Sequence, residues 1–241
     1  KESITAIYDI KASYPKAKLI LGGCLAQRYS KDLYDSMKEL DGVFGNGDLT
    51  KISDFMKVLE YKRCLQTYEQ KGIAEGNRPV LFNYKGAAFV KITEGCSNHC
   101  SFCAIPLIRG ELRSRKPESV VKEIQQLVSN GVYEINLIGQ DLAAYGTGAE
   151  DFQLENKNLS PLAQLFQMIS KIEGDFIVRP LYIHPDHFNK DIIPVMQADK
   201  RFVPYFDIPF QSGDSQIIKA MNRVGPAEKY IETIKFIRSS F

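Results

Sequence analysis

The sequence predicts an α/β fold in which short parallel strands alternate with helices. Apolar segments of strand length, such as Lys18–Leu21 and Ala87–Ile92, alternate with segments whose apolar residues recur at helical spacing, such as Thr50–Tyr61. This alternation favours parallel sheets with crossover helices. At 241 residues, 44% hydrophobic and 25% charged, the chain has the composition of a globular protein with a real core.

In the first part of the chain, each predicted element has a recognisable start or stop. An amphipathic helix from Lys1 ends before Pro15, and further helices cover Lys31–Leu40 and Thr50–Tyr61. Short strands cover Lys18–Leu21 and Val43–Gly45. Residues 70–86 contain Gly72, Gly76, Asn77, Pro79 and Gly86, a composition typical of a linker. We therefore predict two domains, residues 1–79 and residues 80–241.

The second part repeats the alternation, and each of its strands is followed by polar residues. Predicted strands and helices follow in turn from residue 87 to residue 238: strands 87–92, 133–138, 177–183 and 203–208, and helices 117–129, 162–172, 189–198, 214–222 and 227–238. Active sites of parallel barrels lie at the carboxyl ends of the strands. Four groups of residues are predicted to lie there, namely Cys96–Cys103, Gln140-Asp141, His184-Pro185-Asp186-His187 and Gln211-Ser212.

Three of the 5 cysteines, Cys96, Cys100 and Cys103, are spaced C-x3-C-x2-C on a loop after a strand. Thiolates this close in sequence converge readily on one metal centre, and iron–sulfur clusters are normally held by cysteines. A disulfide is disfavoured because the chain has the features of a cytosolic protein and its cysteine count is odd. A zinc site would need a fourth ligand, for which His99 is available. Three cysteines on a cubane cluster leave one iron for a ligand that is not protein.

This cysteine motif, with Phe102 before its last cysteine, resembles that of the radical S-adenosylmethionine (SAM) enzymes. The resemblance implies a [4Fe-4S] cluster whose open iron chelates the amino and carboxylate groups of SAM, and reductive cleavage of SAM to a 5′-deoxyadenosyl radical. Phe102, Gln140, His184 and Gln211 are expected to position SAM, from their places at strand ends. The longer segment from Glu94 to Arg115 resembles the methylthiotransferases, which insert a sulfur atom and a methyl group at an unactivated C–H bond.

Cys24, which follows Gly22-Gly23, belongs to a segment that resembles the last cysteine motif of the methylthiotransferase N-terminal domain. In that family three cysteines of this domain hold a second [4Fe-4S] cluster. The resemblance therefore implies that Cys24 is one ligand of a second cluster and that the sequence is truncated at both ends. It also implies a partial (β/α) radical SAM barrel preceded by an incomplete small α/β domain. Cys64 has no counterpart in the family pattern and is expected to be structural.

The family has branches that modify tRNA adenosine and one that modifies an aspartate of a small-subunit ribosomal protein. Segments 43–48, 109–115, 139–146 and 205–209 resemble the protein-modifying branch, whereas Gln211-Ser212-Gly213 is closer to the tRNA branches. We therefore expect a ribosomal-protein substrate, with tRNA as the alternative, and an electron donor of the flavodoxin or ferredoxin type.

A non-enzymatic alternative is a metal-binding interaction module in which the basic segment Arg109–Lys116 is a docking surface. That segment is otherwise a solvated loop or a basic rim that favours anionic groups beside the metal centre.

A net charge of +2 gives no general bias toward nucleic acid or membrane, and no apolar segment is long enough to span a bilayer. The sequence therefore predicts a cytoplasmic enzyme with no membrane partner.

Overall fold

In the computed structural model, which describes residues 2–72 and 86–241, the chain forms two compact units. The first comprises Lys1–Ala74 with Leu107–Gly110, and the second comprises Glu75–Pro106 with Glu111–Phe241. Each unit contains its own three-stranded parallel sheet. The domain boundary predicted between residues 79 and 80 lies outside the described residues.

The first unit packs short helices against a small parallel sheet. Its elements are α1 (Glu2–Ser13), β1 (Ile20–Gly22), α2 (Cys24–Arg28), α3 (Ser30–Ser36), β2 (Gly42–Phe44), a 3₁₀ turn (Leu49–Lys51), α4 (Ile52–Tyr61) and β3 (Cys64–Gln66). The sheet order is β1-β2-β3, with Ile20 opposite Gly42 and Gly42 opposite Cys64. Helix α4 buries Phe55 and Leu59, four residues apart on one face, against Phe44 of β2.

Two details of the first unit differ from the sequence prediction. Strand β3 was not predicted, because its residues Cys64–Gln66 include no β-branched or aromatic side chain that would indicate a strand. The helix predicted to reach Leu40 ends at Ser36, since Met37 adopts an extended backbone conformation. Cys64 begins β3 and lies in the core beside Phe44, Phe55 and Leu59, which confirms its structural role.

The second unit alternates strands and helices as predicted. Its elements are β4 (Ala87–Lys91), β5 (Thr93–Glu94), α5 (Ile105–Arg109, whose last three residues cluster with the first unit), β6 (Arg113–Ser114), α6 (Pro117–Ser129), β7 (Glu134–Ile138), α7 (Pro161–Ile169), β8 (Ile177–Pro180), a 3₁₀ turn (Pro185–His187), α8 (Ile192–Ala198), α9 (Ser215–Ala220) and α10 (Ala227–Ser240). The main sheet has the order β4-β7-β8, all parallel, and β5 and β6 form a short antiparallel ladder.

The core of the second unit lies between this sheet and helices α6, α7 and α8. Pro117 occupies the first turn of α6, where its missing N–H costs nothing, and Gly131 follows the helix with φ +84°. Ile124 of α6 and Phe166 of α7 are fully buried, and Phe166 packs on Phe202 with ring centroids 4.8 Å apart. Burial of such side chains stabilises the fold by about 1.5–3 kcal/mol each.

The strand predicted at residues 203–208 is wrong. In the described part of the chain an isolated β-bridge between Val178 and Phe202 comes just before this segment, and residues 203–208 belong to no strand. Pro204 and Pro209 supply no N–H for a strand ladder, which accounts for the loss of pairing. The strand predicted at 177–183 is also shorter and ends at Pro180. Among the described residues, no helix is long and apolar enough to cross a bilayer.

Candidate metal centre and ligand cavity

The three cysteines lie on a loop, residues 95–104, that we call the cysteine loop. It leaves strand β5 through Gly95, whose φ of +74° lies in the region that favours glycine. Cys96 is buried, and Cys100 and Cys103 are half-buried. The Sγ of Cys96 accepts the backbone N–H of Asn98, and the Sγ of Cys103 accepts that of Ile105, both at 3.4 Å. Burial raises the pKa of the Cys96 thiol.

All three cysteines face a single cavity of about 290 Å³. The cavity is also lined by Gly139 and Gln140 after β7, and by Tyr182 and His184 after β8. Because parallel strands present their carboxyl ends at the same edge, residues distant in sequence meet here. The prediction that the cysteine loop, Gln140 and His184 lie around one mouth is confirmed.

The other residues predicted at the site divide into two groups. Phe102 lines the cavity, as do Gln140 and His184, so three of the four residues predicted to position SAM share it with the cysteines. Gln211 does not line it: the side chain is exposed and the backbone has φ +68°.

Cys24 belongs to the first unit, where it begins α2 directly after Gly23. It is half-buried, and its Sγ accepts the side-chain amide of Asn46 at 3.7 Å. The described residues of this unit contain one other cysteine, Cys64, which is buried in the core. The role of Cys24 as a cluster ligand therefore stays a prediction.

Asp141 is the residue that joins the strand ends. Its fully buried carboxylate accepts four hydrogen bonds, from Asn98 Nδ2 (3.2 Å), Ala143 N (3.0 Å), His184 N (3.2 Å) and His187 Nδ1 (2.6 Å). One side chain thus connects the cysteine loop with the segments that follow β7 and β8. A buried carboxylate needs this number of donors to offset its desolvation.

The charges around Asp141 follow from this network. Burial alone would raise the pKa of Asp141, but the hydrogen bonds and charge of the neighbouring imidazoles hold that pKa below its ordinary value. The hydrogen bond that His187 donates to the Asp141 carboxylate raises the pKa of His187. Burial lowers the pKa of His184, which favours the uncharged form of its imidazole. The Asp141–His187 hydrogen bond therefore favours the charged forms of both groups, whereas burial favours the uncharged form of His184.

Asp141, His184 and His187 also form a donor set of a kind that binds divalent metal ions, with ligand atoms within 4.8 Å of one another. The separation of 2.6 Å between His187 Nδ1 and Asp141 Oδ2 is that of a charge-assisted hydrogen bond. His184 Nδ1 accepts the N–H of Asp186 at 3.3 Å. Asp141, His187 and the Nδ1 side of His184 are therefore paired with protein groups. We interpret the three residues as a hydrogen-bonded network that leaves Nε2 of His184, at the cavity, without a hydrogen-bond partner among the described residues.

The basic segment Arg109–Lys116 is buried only in part: Lys116 is exposed, Arg109 and Arg113 are half-buried, and Arg115 lies in the core. The pairing of strand β6 with β5 places Arg113 and Ser114 in a ladder beside Arg115. Arg115 is 2% exposed, and its guanidinium forms an ion pair with Glu123 of α6 and donates to the carbonyl of Lys91 at 3.0 Å. Its charge is therefore neutralised within the core.

Sequence reasoning missed Arg223 as a residue of the site. It lines the cavity and is 7% exposed, but it lies in a turn between two predicted helices, where a single basic residue gives no signal. Tyr182 was missed as well; it has φ +69°, a strained conformation for a tyrosine, and burial raises the pKa of its hydroxyl.

The cavity has the donors that a cysteine-bound cluster and a polar ligand require. Three thiols face it, and two of them already accept backbone N–H groups, as cluster ligands do. Three residues that line it also carry a buried polar atom with no hydrogen-bond partner among the described residues: Gln140 Oε1, His184 Nε2 and Arg223 Nε. Buried polar atoms are normally paired, so this grouping fits a polar ligand.

Comparisons with known proteins support the interpretation of the cavity as the site of a cysteine-bound cluster and a polar ligand. A family model described as the Radical SAM superfamily matches residues 90–241. Proteins named ribosomal protein uS12 methylthiotransferase RimO are 51% identical over the whole chain in Treponema denticola and 37% identical over 99% of it in Thermoanaerobacter. The chain spans 54% of the length of each of these two relatives.

A solved structure titled as the cobalamin-dependent S-adenosylmethionine radical enzyme OxsB, with aqua-cobalamin and S-adenosylmethionine bound, has a similar fold. Its TM-score is 0.63 at 14% identity, over 98% of this chain and 37% of that one. Together, the arrangement of the three cysteines around one cavity and the family match over residues 90–241 identify the chain as a member of the radical SAM superfamily.

Proposed function

We propose that the protein is a methylthiotransferase that adds a methylthio group to the β-carbon of an aspartate in a small-subunit ribosomal protein. The observation that carries the proposal is the cavity itself, which brings three cysteines together with unpartnered polar atoms of Gln140, His184 and Arg223. The names of the relatives at 51% and 37% identity supply the substrate class.

In this proposal Cys96, Cys100 and Cys103 hold a [4Fe-4S] cluster, and the cavity beside them binds SAM. When bound, the cluster and SAM supply the one-electron chemistry that activates an unreactive C–H bond. The protein contributes orientation and exclusion of water. Phe102 offers an apolar ring at the cavity, while Gln140 and His184 offer polar atoms.

The Asp141 network has a positioning role in this scheme. Its hydrogen bond to Asn98 fixes the cysteine loop between Cys96 and Cys100, and its bond to the His184 backbone fixes the neighbouring imidazole. A cofactor site gains precision when the groups that line it are held by a second layer of hydrogen bonds.

The domain assignment is part of the same proposal. We assign residues 1–79 to the methylthiotransferase N-terminal domain and residues 80–241 to the radical SAM domain. Cys24 is assigned to a second [4Fe-4S] cluster, from the resemblance of its segment to the family motif. An electron donor of the flavodoxin or ferredoxin type completes the set of partners.

The direct test uses the complete protein that contains this sequence, loaded anaerobically with iron and sulfide. It is incubated with SAM and dithionite, in separate reactions, with small ribosomal subunits and with bulk tRNA. Mass spectrometry then searches both for an added methylthio group. A modified aspartyl peptide is the expected result. A modified adenosine with unmodified peptides would transfer the protein to the tRNA-modifying branch.

A further inference from the structure

Arg223 is a buried cation at the ligand cavity. It lies in the turn between α9 and α10, at residues 221–226, and is 7% exposed. Its side chain lines the cavity that the three cysteines face. The guanidinium lies 5.9 Å from the centre of the Phe102 ring, which is also at the cavity. Arg223 therefore brings a permanent positive charge to the metal centre.

The protein neutralises this charge incompletely. One terminal nitrogen donates to the carbonyl of Pro209 at 2.9 Å, and the Tyr230 hydroxyl lies beside the guanidinium. Nε has no hydrogen-bond partner, and no carboxylate among residues 2–72 and 86–241 forms an ion pair with Arg223. Burying a charge without a counter-charge is unfavourable, because the charge loses its hydration and gains no compensating ion pair. By contrast, Arg115, the other arginine that is buried among the described residues of this unit, forms an ion pair with the carboxylate of Glu123.

The turn that carries Arg223 is fixed to the cysteine loop. Three hydrogen bonds join the two segments: Ser101 N to Met221 O (3.1 Å), Ser101 Oγ to Ala220 O (3.0 Å) and Asn222 Nδ2 to His99 O (2.7 Å). On the other side, the Asp186 carboxylate accepts the N–H groups of Val224 and Gly225 at 3.0 and 2.8 Å. The guanidinium is therefore held at a set place relative to the cysteines.

We propose that Arg223 binds a carboxylate group in the cavity beside the metal centre. A guanidinium presents its N–H groups as a planar fork that matches a carboxylate, and such charge-assisted bonds are strong where water is excluded. The inference rests on the proposed function, which brings two carboxylates to this cavity. One belongs to SAM, and the other is the side chain of the substrate aspartate.

The first arm of the test asks whether the carboxylate is that of SAM. The complete cluster-loaded protein is compared with Arg223→Met, and binding of SAM and of decarboxylated SAM is measured by anaerobic calorimetry. If Arg223 binds this carboxylate, Arg223→Met weakens SAM binding on the order of 10- to 100-fold and leaves the binding of decarboxylated SAM nearly unchanged. Since the cluster also chelates the carboxylate, only the difference between the two proteins reports on Arg223.

The second arm asks whether the carboxylate is that of the substrate. Binding of a substrate peptide with the target aspartate is compared with that of a peptide carrying asparagine at this position, in the presence of SAM. If Arg223 binds the aspartate, the wild type prefers the aspartyl peptide and Arg223→Met loses this preference, while the affinity for SAM is retained. Arg238→Met, which removes an exposed arginine from α10, is the matched control and should behave as wild type in both arms.

Two further results keep the inference falsifiable. If Arg223→Met fails to load iron, Arg223→Lys replaces it, because lysine keeps the charge but lacks the fork, and a partial loss of carboxylate preference is expected. The inference is overturned if both preferences match those of wild type. A change confined to the reduction potential of the metal centre would make Arg223 a counter-ion of the cluster thiolates instead. A wild type that forms no 5′-deoxyadenosine would refute the proposed function itself.

Discussion

The side-chain amide of Asn98 donates to the carboxylate of Asp141 at 3.2 Å, across 43 residues of sequence. Asn98 lies between two of the three cysteines, and Asp141 follows strand β7. This bond ties the shape of the cysteine loop to the end of the parallel sheet. The metal centre is therefore positioned by the fold, through one buried carboxylate.

Replacing Asp141 with asparagine tests this link. Asparagine keeps the size of the side chain but offers one acceptor oxygen to four donors, so we expect a loss of about 1–3 kcal/mol in the free energy of unfolding. We also expect less iron per chain after anaerobic loading. Asp199→Asn removes a carboxylate that pairs with Arg201 away from the cavity and is the control. Equal iron content in the two variants would contradict the positioning role.

The bond from Asn222 to the cysteine loop can be separated from the strain of its backbone. Asn222 has φ +58°, and its Nδ2 donates to the carbonyl of His99 at 2.7 Å. Both Asn222→Ala and Asn222→Gly remove the bond, but only alanine adds strain, of about 1 kcal/mol. We therefore expect both variants to retain iron less well, and the alanine variant to unfold at a lower urea concentration. Iron retention equal to wild type in both would show that this bond is dispensable.

Glycine at position 139 is required by close packing at the cavity. A Cβ there would press on Oγ1 of the fully buried Thr93 and lie 3.2 Å from a methyl group of Leu142. Gly139→Ala should destabilise the protein by about 1–3 kcal/mol in urea unfolding. Gly213→Ala is the matched control, because a Cβ at that position meets nothing within 4 Å. If the two alanine variants were equally stable, the close packing at Gly139 would not be a constraint.

The Asp141–His187 pair predicts a pH dependence of stability. The pKa of His187 is raised in the folded protein, so its protonation stabilises the fold fully below about 6.5, the pKa of an unfolded histidine. That stabilisation is lost as the pH rises through the folded pKa. His187→Asn keeps a donor but does not titrate. We expect the stability of wild type to fall relative to this variant as the pH rises above about 6.5. A constant difference would show that His187 is not charged in the fold.

The sequence was sufficient for the parts of the site that depend on local patterns. The cysteine spacing indicated the metal centre, and the polar residues after apolar strands indicated Gln140 and His184, because parallel strands end at a common edge. Strand β3 was missed because Cys64–Gln66 has no β-branched or aromatic residue, and segment 203–208 was misread as a strand although Pro204 and Pro209 supply no N–H for pairing.

Arg223 and the role of Asp141 are properties of tertiary contacts. Arg223 lies 120 residues after Cys103, in a turn whose hydrogen bonds to the cysteine loop no local pattern encodes. Asp141 was noticed as a polar residue at a strand end, but its four donors come from three separate segments. The burial of Arg115 in the basic segment likewise depends on tertiary contacts, with β6 paired to β5 and Arg115 against Glu123.

The most direct test of the account measures 5′-deoxyadenosine formed from SAM and dithionite by the complete protein after anaerobic loading with iron and sulfide. The account predicts product with wild type and with Cys64→Ala, whose cysteine lies in the core of the other unit. It predicts none with Cys96→Ala, Cys100→Ala or Cys103→Ala. Product formation retained in any of these three variants would contradict the assignment of the metal centre.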